Sequence, residues 1–511
     1  MKVKINSHLV FTVLSFVIPM VIYLITMAPT TSFWDCGEFI ACSVTLGVPH
    51  PPGTPLFLLL GNVFSNFPTF SDIGARVNLI SPIASAFSVM FLYLIIIQLI
   101  KRLLGDKNNE SKIKIAEISA FIAAITFGVT DSHWFNAVEA EIYSLSTFLT
   151  SIVVWLILKW DTMAFNKGSI KYIIFISYIF GLGIGIHLLN LLAIPCVIFI
   201  IYYNKKLSSK LNEIDYKKLF IDIISVAAIS LTIFGIIYSL IIKGIPQVSS
   251  QFSSIWFPVS IYIFTLILLG VYVLKNNIRL ATIFLCLSMI LVGYSTYSTI
   301  FIRASQHPSI NENNPDTLKS FLSYMNREQY GSWSILDREG TLQRQENRNW
   351  KRYTDDRDNP SSSEVFSFVW NYQVKEMYLR YFAWQFIGRG GKENYPWYLR
   401  DINGNLTGNQ SLDGINWLRY GLPLAFIIGI IGVVFHFSQD WRRALAVLSL
   451  FLAMGLMIIV YLNQYDPQPR ERDYSYVGSF FAFSIWIGIG ISAIQKKIKI
   501  FFEDFNISSF I

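Results

Sequence analysis

The densest chemistry in this 511-residue chain lies in Phe33-Trp34-Asp35-Cys36-Gly37-Glu38-Phe39-Ile40, followed closely by Gly47-Val48-Pro49-His50-Pro51-Pro52-Gly53-Thr54-Pro55. Asp35 and Glu38 stand three residues apart, so a helix beginning at Asp35 projects both carboxylates from one face, with Asp35 at the N-cap its residue type favours. Phe33, Trp34, Phe39 and Ile40 give them apolar neighbours, which raise a carboxyl pKa and turn the group into a useful general base. A plain interfacial helix that Asp35 caps and Glu38 completes accounts for the same residues equally well. The prolines at 49, 51, 52 and 55 stiffen the backbone and hold His50 in a defined place. There it serves either as a phosphate or substrate ligand or as an imidazole hydrogen-bonded to backbone.

The elements that must position these residues are membrane-spanning helices. The chain is 53% hydrophobic, 16% aromatic and only 14% charged, and apolar runs of the roughly 20 residues needed to cross about 30 Å of hydrocarbon recur from end to end. Runs such as 173–203 and 444–462 are apolar nearly all the way round, which excludes the alternating pattern of barrel strands. The fold class expected is an all-α polytopic membrane protein with about twelve spans, near 8–28, 77–100, 115–130, 142–160, 172–186, 187–203, 219–242, 257–275, 280–301, 418–437, 444–464 and 475–495. The stretch 172–203 reads either as two short helices meeting around Gly185 to Asn190 or as one long helix with a re-entrant piece. The first span follows Met1-Lys2-Val3-Lys4 and has no small-x-small cleavage site, as in a retained signal anchor.

The net charge of +8 is not a nucleic-acid footprint, because Lys and Arg sit in short clusters between apolar runs. Lys101/Arg102, Lys159/Lys171, Lys217/Lys218, Lys275/Arg279, Arg442/Arg443 and Lys496/Lys497 fall on the side of both termini, whereas the short loops opposite carry only Arg76, Lys243, Arg470 and Arg472. Both termini are therefore expected in the cytoplasm. Two segments then lie outside: a first loop over 29–76 and a polar insert over 302–417, which divide the chain into an N-terminal membrane module (1–301), the insert, and C-terminal helices (418–511). The four cysteines, Cys36, Cys42, Cys196 and Cys286, have no zinc spacing and imply no disulfide framework.

Further polar residues stand at the ends of apolar runs. Glu139 and Glu141 border another outer loop and read as substrate-binding or as merely solvated. His187 and Asn190 sit where an imidazole is costly unless paired, so they either contact substrate or phosphate or form a helix-packing hydrogen bond. Arg303 directly follows a span and either binds phosphate or snorkels. Arg470 and Arg472, against the charge bias of their side, suit bidentate phosphate recognition. An internal ion-pair cluster with Glu471 or Asp473 is the alternative for both. Tyr378, Arg380, Tyr381, Trp384 and Gln385 of the insert read as interfacial anchors more than as a sugar-stacking surface, and Gly388-Arg389-Gly390-Gly391 lacks the strand and helix of a phosphate loop. No Cys/His or HExxH pattern offers a metal site, and no metal or other cofactor is expected.

The string Asp35-x-Gly37-Glu38, followed by Leu46-Gly47-Val48-x-His50-Pro51-Pro52-Gly53-x-Pro55-Leu56-Phe57, resembles membrane glycosyltransferases of the GT-C superfamily. In particular it resembles the bacterial family related to the vertebrate transmembrane O-mannosyltransferase acting on IPT domains. The stretches 139–145, 185–190, 310–315 (Ile-Asn-Glu-Asn-Asn-Pro), 326–331 (Asn-Arg-Glu-Gln-Tyr-Gly) and 469–474 are similar too. The resemblance implies a GT-C-like helix arrangement in the inner membrane, an active site at its outer face, and a polyprenyl-phosphate sugar as donor. It implies inverting transfer of a hexose, mannose first, to Ser or Thr of an exported protein, with Asp35 and Glu38 catalytic. His50, Glu139, Glu141, His187, Asn190, Arg303, Arg470 and Arg472 then bind substrate. A lipid or cell-envelope glycan is the alternative acceptor, and lipid or solute transport the alternative function. Transport needs polar residues in mid-span, and the charges here lie near span ends.

Overall fold

A computed structural model of the protein describes residues 6–105, 109–164, 166, 168–205, 216–331, 334, 336–345, 349–389 and 420–504. Among these, secondary structure is helical throughout, apart from one isolated parallel bridge between Val48 and Asn311. Eight stretches are long and apolar enough to cross a membrane: Ser7–Thr26, Ile73–Leu104, Ile142–Met163, Tyr216–Gln251, Phe257–Leu274, Ile278–Ala304, Leu424–Leu462 and Asp473–Ile498. A ninth results if Glu110–Gly128 and Asp131–Ala137, bent by 68°, count as one span.

The difference from twelve expected spans has a local cause in each case. Ile170–Ile184 and Leu188–Asn204 are separate helices, each short of a full span. They run in opposite directions. The first starts beside the end of Ile142–Met163, where the Tyr172 hydroxyl meets the Met163 sulfur (3.4 Å). The second ends there through Asn204 Nδ2 on Asp161 Oδ1 (2.6 Å), and His187 between them packs on Tyr143 at the other end of that helix. The Leu424–Ala453 run doubles back on itself. Phe426 and Phe451 both pack on Phe483, with centroids 6.2 and 6.3 Å away, whereas 25 residues of straight helix would part them by about 37 Å. The reversal is at Asp440, whose φ of −148° and ψ of 70° are not helical. Arg443 closes it with an ion pair to Asp440 (2.6 Å). The two arms correspond to the expected spans 418–437 and 444–464.

The chain packs as two compact units, one of residues 16–91 and 136–332, the other of 1–15, 92–135 and 333–511. Their boundaries cut the insert near residue 332. In the first unit, the helices Ile170–Ile184 and Ile278–Tyr294 approach closely where Gly181 lies against Gly293 and the Ile290 carbonyl; no side chain fits there. The polar loop after the first span folds into two short helices, Cys36–Thr45 and Pro55–Asn66, joined side by side through Asn62 Nδ2 on the Ser43 carbonyl (3.0 Å). In the second unit, Phe382 of the insert packs on Phe426, Phe451, Phe480 and Phe483, Phe386 packs on Phe483, and Phe483 in turn meets Trp486. This aromatic core fixes the aromatic half of the insert to the helices that follow it.

Candidate active site

The helix Cys36–Thr45 begins where the spacing of Asp35 and Glu38 predicts, with Asp35 at the N-cap, but the Asp35 side chain makes no capping hydrogen bond. Its start is held from behind by buried Asn78. Asn78 Nδ2 donates to the carbonyls of Ala28 (2.8 Å) and Thr30 (2.9 Å), and Oδ1 accepts from the Ala140 amide (3.0 Å) and the Cys36 thiol (3.8 Å). One side chain thus ties the loop entry, the head of the acidic helix and the segment carrying Glu139 and Glu141. Both glutamates are buried, and Ser81 Oγ bonds the backbone of Glu141 at 3.4 Å. The charges of Glu139 and Glu141 bear on Cys36, whose thiol is pushed up chiefly by burial.

Glu38 is fully engaged. Its Oε1 accepts from the His50 amide (2.7 Å) and its Oε2 pairs with His50 Nδ1 (2.5 Å). Burial pushes the Glu38 carboxyl up, yet the hydrogen bonds and charge of His50 outweigh it and hold the group below the usual carboxylate value. The same hydrogen bond raises His50 above the ordinary imidazole value against the effect of its own burial; the Glu38 and Asp35 charges add to the rise and the Arg327 charge opposes it. With Nδ1 facing Glu38, the other ring nitrogen, Nε2, has no hydrogen bond among the described residues.

Two residues of the site come from the far side of the sequence. The segment 310–312 docks on the proline-rich strand through Val48 N to the Ile310 carbonyl (2.8 Å) and Glu312 N to the Val48 carbonyl (3.0 Å). Gly47 makes this approach possible, since a Cβ there would stand 2.9 Å from the Ile310 oxygen. This sets Glu312 beside Glu38. Partial burial and the Glu38 charge push the Glu312 carboxyl up. Next, Tyr324 donates to the Pro49 carbonyl (2.6 Å) and anchors the end of the helix Leu318–Asn326. Arg327 follows in a left-handed conformation (φ 59°) with its guanidinium over the Tyr330 ring at 5.1 Å.

His187 lies in the same unit, 5.4 Å from the Tyr143 ring, and its Nδ1 accepts from the Leu189 amide (3.1 Å). Asn190 is fully buried, with Nδ2 on Thr150 Oγ1 (3.2 Å) and its side chain packed against Gly183, so it joins helices. Arg303 holds the other end of the acidic helix, donating from Nε to the Leu46 carbonyl (2.8 Å) and from Nη2 to that of Thr45 (3.1 Å). A cation on C-terminal helix carbonyls stabilises that end.

Arg470 and Arg472 belong to the other unit. Both bond the Tyr474 hydroxyl, and Arg472 Nε also reaches Gln468 (3.2 Å). Glu471 is taken by Arg380 and Tyr381, and Asp473 by Ser132. Arg472 has no salt bridge among the described residues. Tyr378, Arg380, Tyr381 and Gln385 all bond within this unit, Tyr378 to Ser479 (2.7 Å) and Gln385 to Ser132 (2.8 Å). They are internal anchors. Gly390 and Gly391 lie outside the described residues.

The structure thus brings Asp35, Glu38 and His50 together with Glu312 and Arg327, with Glu139 and Glu141 behind the acidic helix. Neither Glu312 nor Arg327 has a signal in its residue type or spacing. What marks them is that both lie in stretches sharing the family resemblance, 310–315 and 326–331. Among the described residues no cluster of three or more His, Cys, Asp or Glu has metal-binding geometry.

Comparison with known proteins meets this geometry at its first residue. The family model described as "Protein O-mannosyl-transferase TMEM260 N-terminal domain" matches residues 35–210. Residues 35–210 are thus similar to the N-terminal domain of TMEM260. Protein O-mannosyl-transferase tmem260 of Dictyostelium discoideum is 23% identical over 214 residues, and the TMEM260 protein of Mus musculus is 25% identical over 194. These matches cover 39% and 37% of this chain but 24% and 26% of the relatives, so the chain spans about a quarter of their length. No solved structure matches. The TMEM260-related region contains Asp35, Glu38, His50, Glu139, Glu141, His187 and Asn190. Glu312 and Arg327 lie beyond it and reach the site through the fold.

Proposed function

We propose that the protein is an inverting membrane glycosyltransferase that moves a hexose, mannose in the first instance, from a polyprenyl-phosphate carrier to a Ser or Thr hydroxyl of an exported protein. The observation that carries this reading is the coincidence of the TMEM260-related region, which begins at Asp35, with the assembled cluster of Asp35, Glu38, His50 and Glu312. In the reaction the acceptor oxygen attacks the anomeric carbon and the bond from that carbon to the phosphate oxygen breaks. The acceptor proton passes to a carboxylate, and the polyprenyl phosphate leaves with the bonding electron pair. Asp35 is the base. Glu38 is a poor one, because the amide and ring of His50 occupy its two oxygens and hold its pKa low. Its role is to orient His50 and support the positive charge on that ring, as the carboxylate of a catalytic triad does for its histidine.

The distribution of Lys and Arg supports cytoplasmic termini, and with them a site at the outer face of the inner membrane, where lipid-linked sugar and exported chains meet. No metal is required, since a monophosphate leaving group is stabilised by cationic side chains. The test is sugar transfer from synthetic polyprenyl-phosphate mannose to Ser/Thr peptides by the purified full chain in detergent. Transfer by the wild type, lost in Asp35→Asn with an unchanged melting temperature, supports the reading. No transfer from any lipid-phosphate sugar, or full activity in Asp35→Asn, overturns it.

A further inference from the structure

We infer that Arg327, with the Nε2 edges of His50 and His187, forms a binding site for a phosphate monoester. The inference rests on the transferase reading for its ligand but on separate residues for its evidence. Arg327 is exposed and has neither a salt bridge nor a side-chain hydrogen bond among the described residues. Its guanidinium is oriented only by the face of Tyr330. A flat cation steadied by an aromatic ring, with all five N–H donors open, is preorganised for a planar or tetrahedral oxyanion.

The two imidazoles complete the site by the way their other nitrogens are used. His50 Nδ1 is held by Glu38 and His187 Nδ1 accepts from the Leu189 amide. In each ring Nε2 is therefore the edge left for a ligand, and in His187 the tautomer that accepts at Nδ1 carries its proton at Nε2. The backbone brings the three close, since Tyr324, three residues before Arg327, donates to the Pro49 carbonyl next to His50. The Leu56 amide, six residues after His50, bonds the Gly185 carbonyl two residues before His187 (3.0 Å). The Arg327 charge bears on both imidazoles. Glu38 balances the charge of His50 through Nδ1 and the backbone, whereas the Arg327 guanidinium and the two Nε2 edges meet no carboxylate among the described residues, and donors gathered so are stabilised by an external anion.

The experiment measures binding to the full-length protein in detergent of three probes: a polyprenyl phosphate, the matching polyprenol and inorganic phosphate. It compares wild type, Arg327→Met and Arg327→Lys. Wild type is expected to prefer the lipid phosphate to the alcohol by at least about tenfold, the size of one charge-assisted hydrogen bond. Arg327→Met should lose about ten- to hundredfold in affinity for the phosphate and nothing for the alcohol, with an unchanged melting temperature, and Arg327→Lys should lose less. Competition by inorganic phosphate assigns the site to the anion alone, and its failure to compete assigns it to the lipid headgroup; both support the site. Equal binding of alcohol and phosphate, or an Arg327→Met variant that binds the phosphate as wild type does, overturns it. Sugar transfer on the same preparations separates the two readings. Transfer by a wild type whose Arg327→Met variant keeps its phosphate affinity removes this site alone, whereas Arg327-dependent phosphate binding without any sugar transfer removes only the transferase.

Discussion

Replacing Glu38 by glutamine tests whether the carboxylate works through His50. In the folded protein one carboxylate accepts both the His50 amide (2.7 Å) and Nδ1 (2.5 Å). The amide of Glu38→Gln keeps one oxygen acceptor but loses the charge and one of the two acceptor positions. A hydrogen bond to a charged partner contributes about 1.5–3 kcal/mol, so the imidazolium loses that much relative to the neutral ring. If the reaction uses the Nε2–H of a cationic His50 to stabilise the leaving phosphate, transfer at neutral pH drops by about ten- to hundredfold. The pH profile carries the sharper information. In wild type the raised pKa of His50 keeps the ring charged beyond the ordinary imidazole range, and the alkaline fall in rate follows that raised value. In Glu38→Gln the fall moves to lower pH. Stability follows the same pair. The His50 contribution is complete below the ordinary imidazole pKa and is lost as pH rises through the folded value; the Glu38 contribution is present above the ordinary carboxyl pKa and is lost as pH falls through its lowered one. The pair therefore stabilises the protein most between about pH 4.3 and 6.5. The assay is initial transfer rate against pH for both proteins, with thermal unfolding over the same range. An alkaline limb that stays in place in Glu38→Gln refutes control of His50 by Glu38.

Three further outcomes are expected. Asp35→Asn removes the base and lowers transfer by more than about a hundredfold, beyond any loss of folded protein read by thermal unfolding; a fall in transfer that only follows the folded fraction would return Asp35 to a structural role. Asn78→Ala strips hydrogen bonds from the Ala28 and Thr30 carbonyls and the Ala140 amide. It should destabilise the protein by about 2–4 kcal/mol, read by chemical denaturation in detergent, and activity should fall with the folded fraction. Arg303→Met frees the Thr45 and Leu46 carbonyls and should cost about 1–2 kcal/mol of stability with no change in affinity for a polyprenyl phosphate; a selective loss of that affinity would make Arg303 a ligand.

Much of the fold was legible because hydropathy runs are long and local. The Asp440 reversal fell in the gap between two apolar runs, with Arg442 and Arg443 beside it, and the antiparallel pair around Gly185 to Asn190 was one of two readings composition left open. Length was the misleading quantity, since short helices and a tight hairpin satisfy the same hydropathy with fewer full-length spans. In the site, the local half was readable. Asp35 and Glu38 do start a helix, and the proline run does fix His50, twelve residues from Glu38 in sequence and bonded to it in space. The distant half was not. Glu312 and Arg327 lie far along the chain from His50, in a polar insert with no periodicity, and nothing in a single sequence says that Ile310 will pair with Val48 or that Tyr324 will reach Pro49. For Arg303 the residue type was informative and the partner was not. A guanidinium suits phosphate and helix carbonyls alike, and nothing in a single sequence places the acidic helix's C-terminal end beside it.

Charge balance explains why Glu312 accompanies Glu38 in a site where one carboxylate suffices to abstract a proton. A cationic His50 needs an anion beside it, because its own burial and the Arg327 charge both favour the neutral ring. Glu38 supplies that anion. Its charge then falls on the neighbouring Glu312, whose carboxyl is pushed up by partial burial and by that charge. On this logic Glu312 is the least demanding member of the cluster, since it is exposed and takes no proton in the transfer. A glutamine there keeps the shape of the side chain without its charge, whereas at Asp35 the corresponding amide removes the base itself. Glu312→Gln is therefore expected to transfer sugar within about threefold of the wild-type rate, less than 1 kcal/mol in the barrier, with the alkaline limb of His50 unmoved. A loss in Glu312→Gln as large as that in Asp35→Asn, measured in the same transfer assay, would mean that the charge of Glu312 takes part in the reaction.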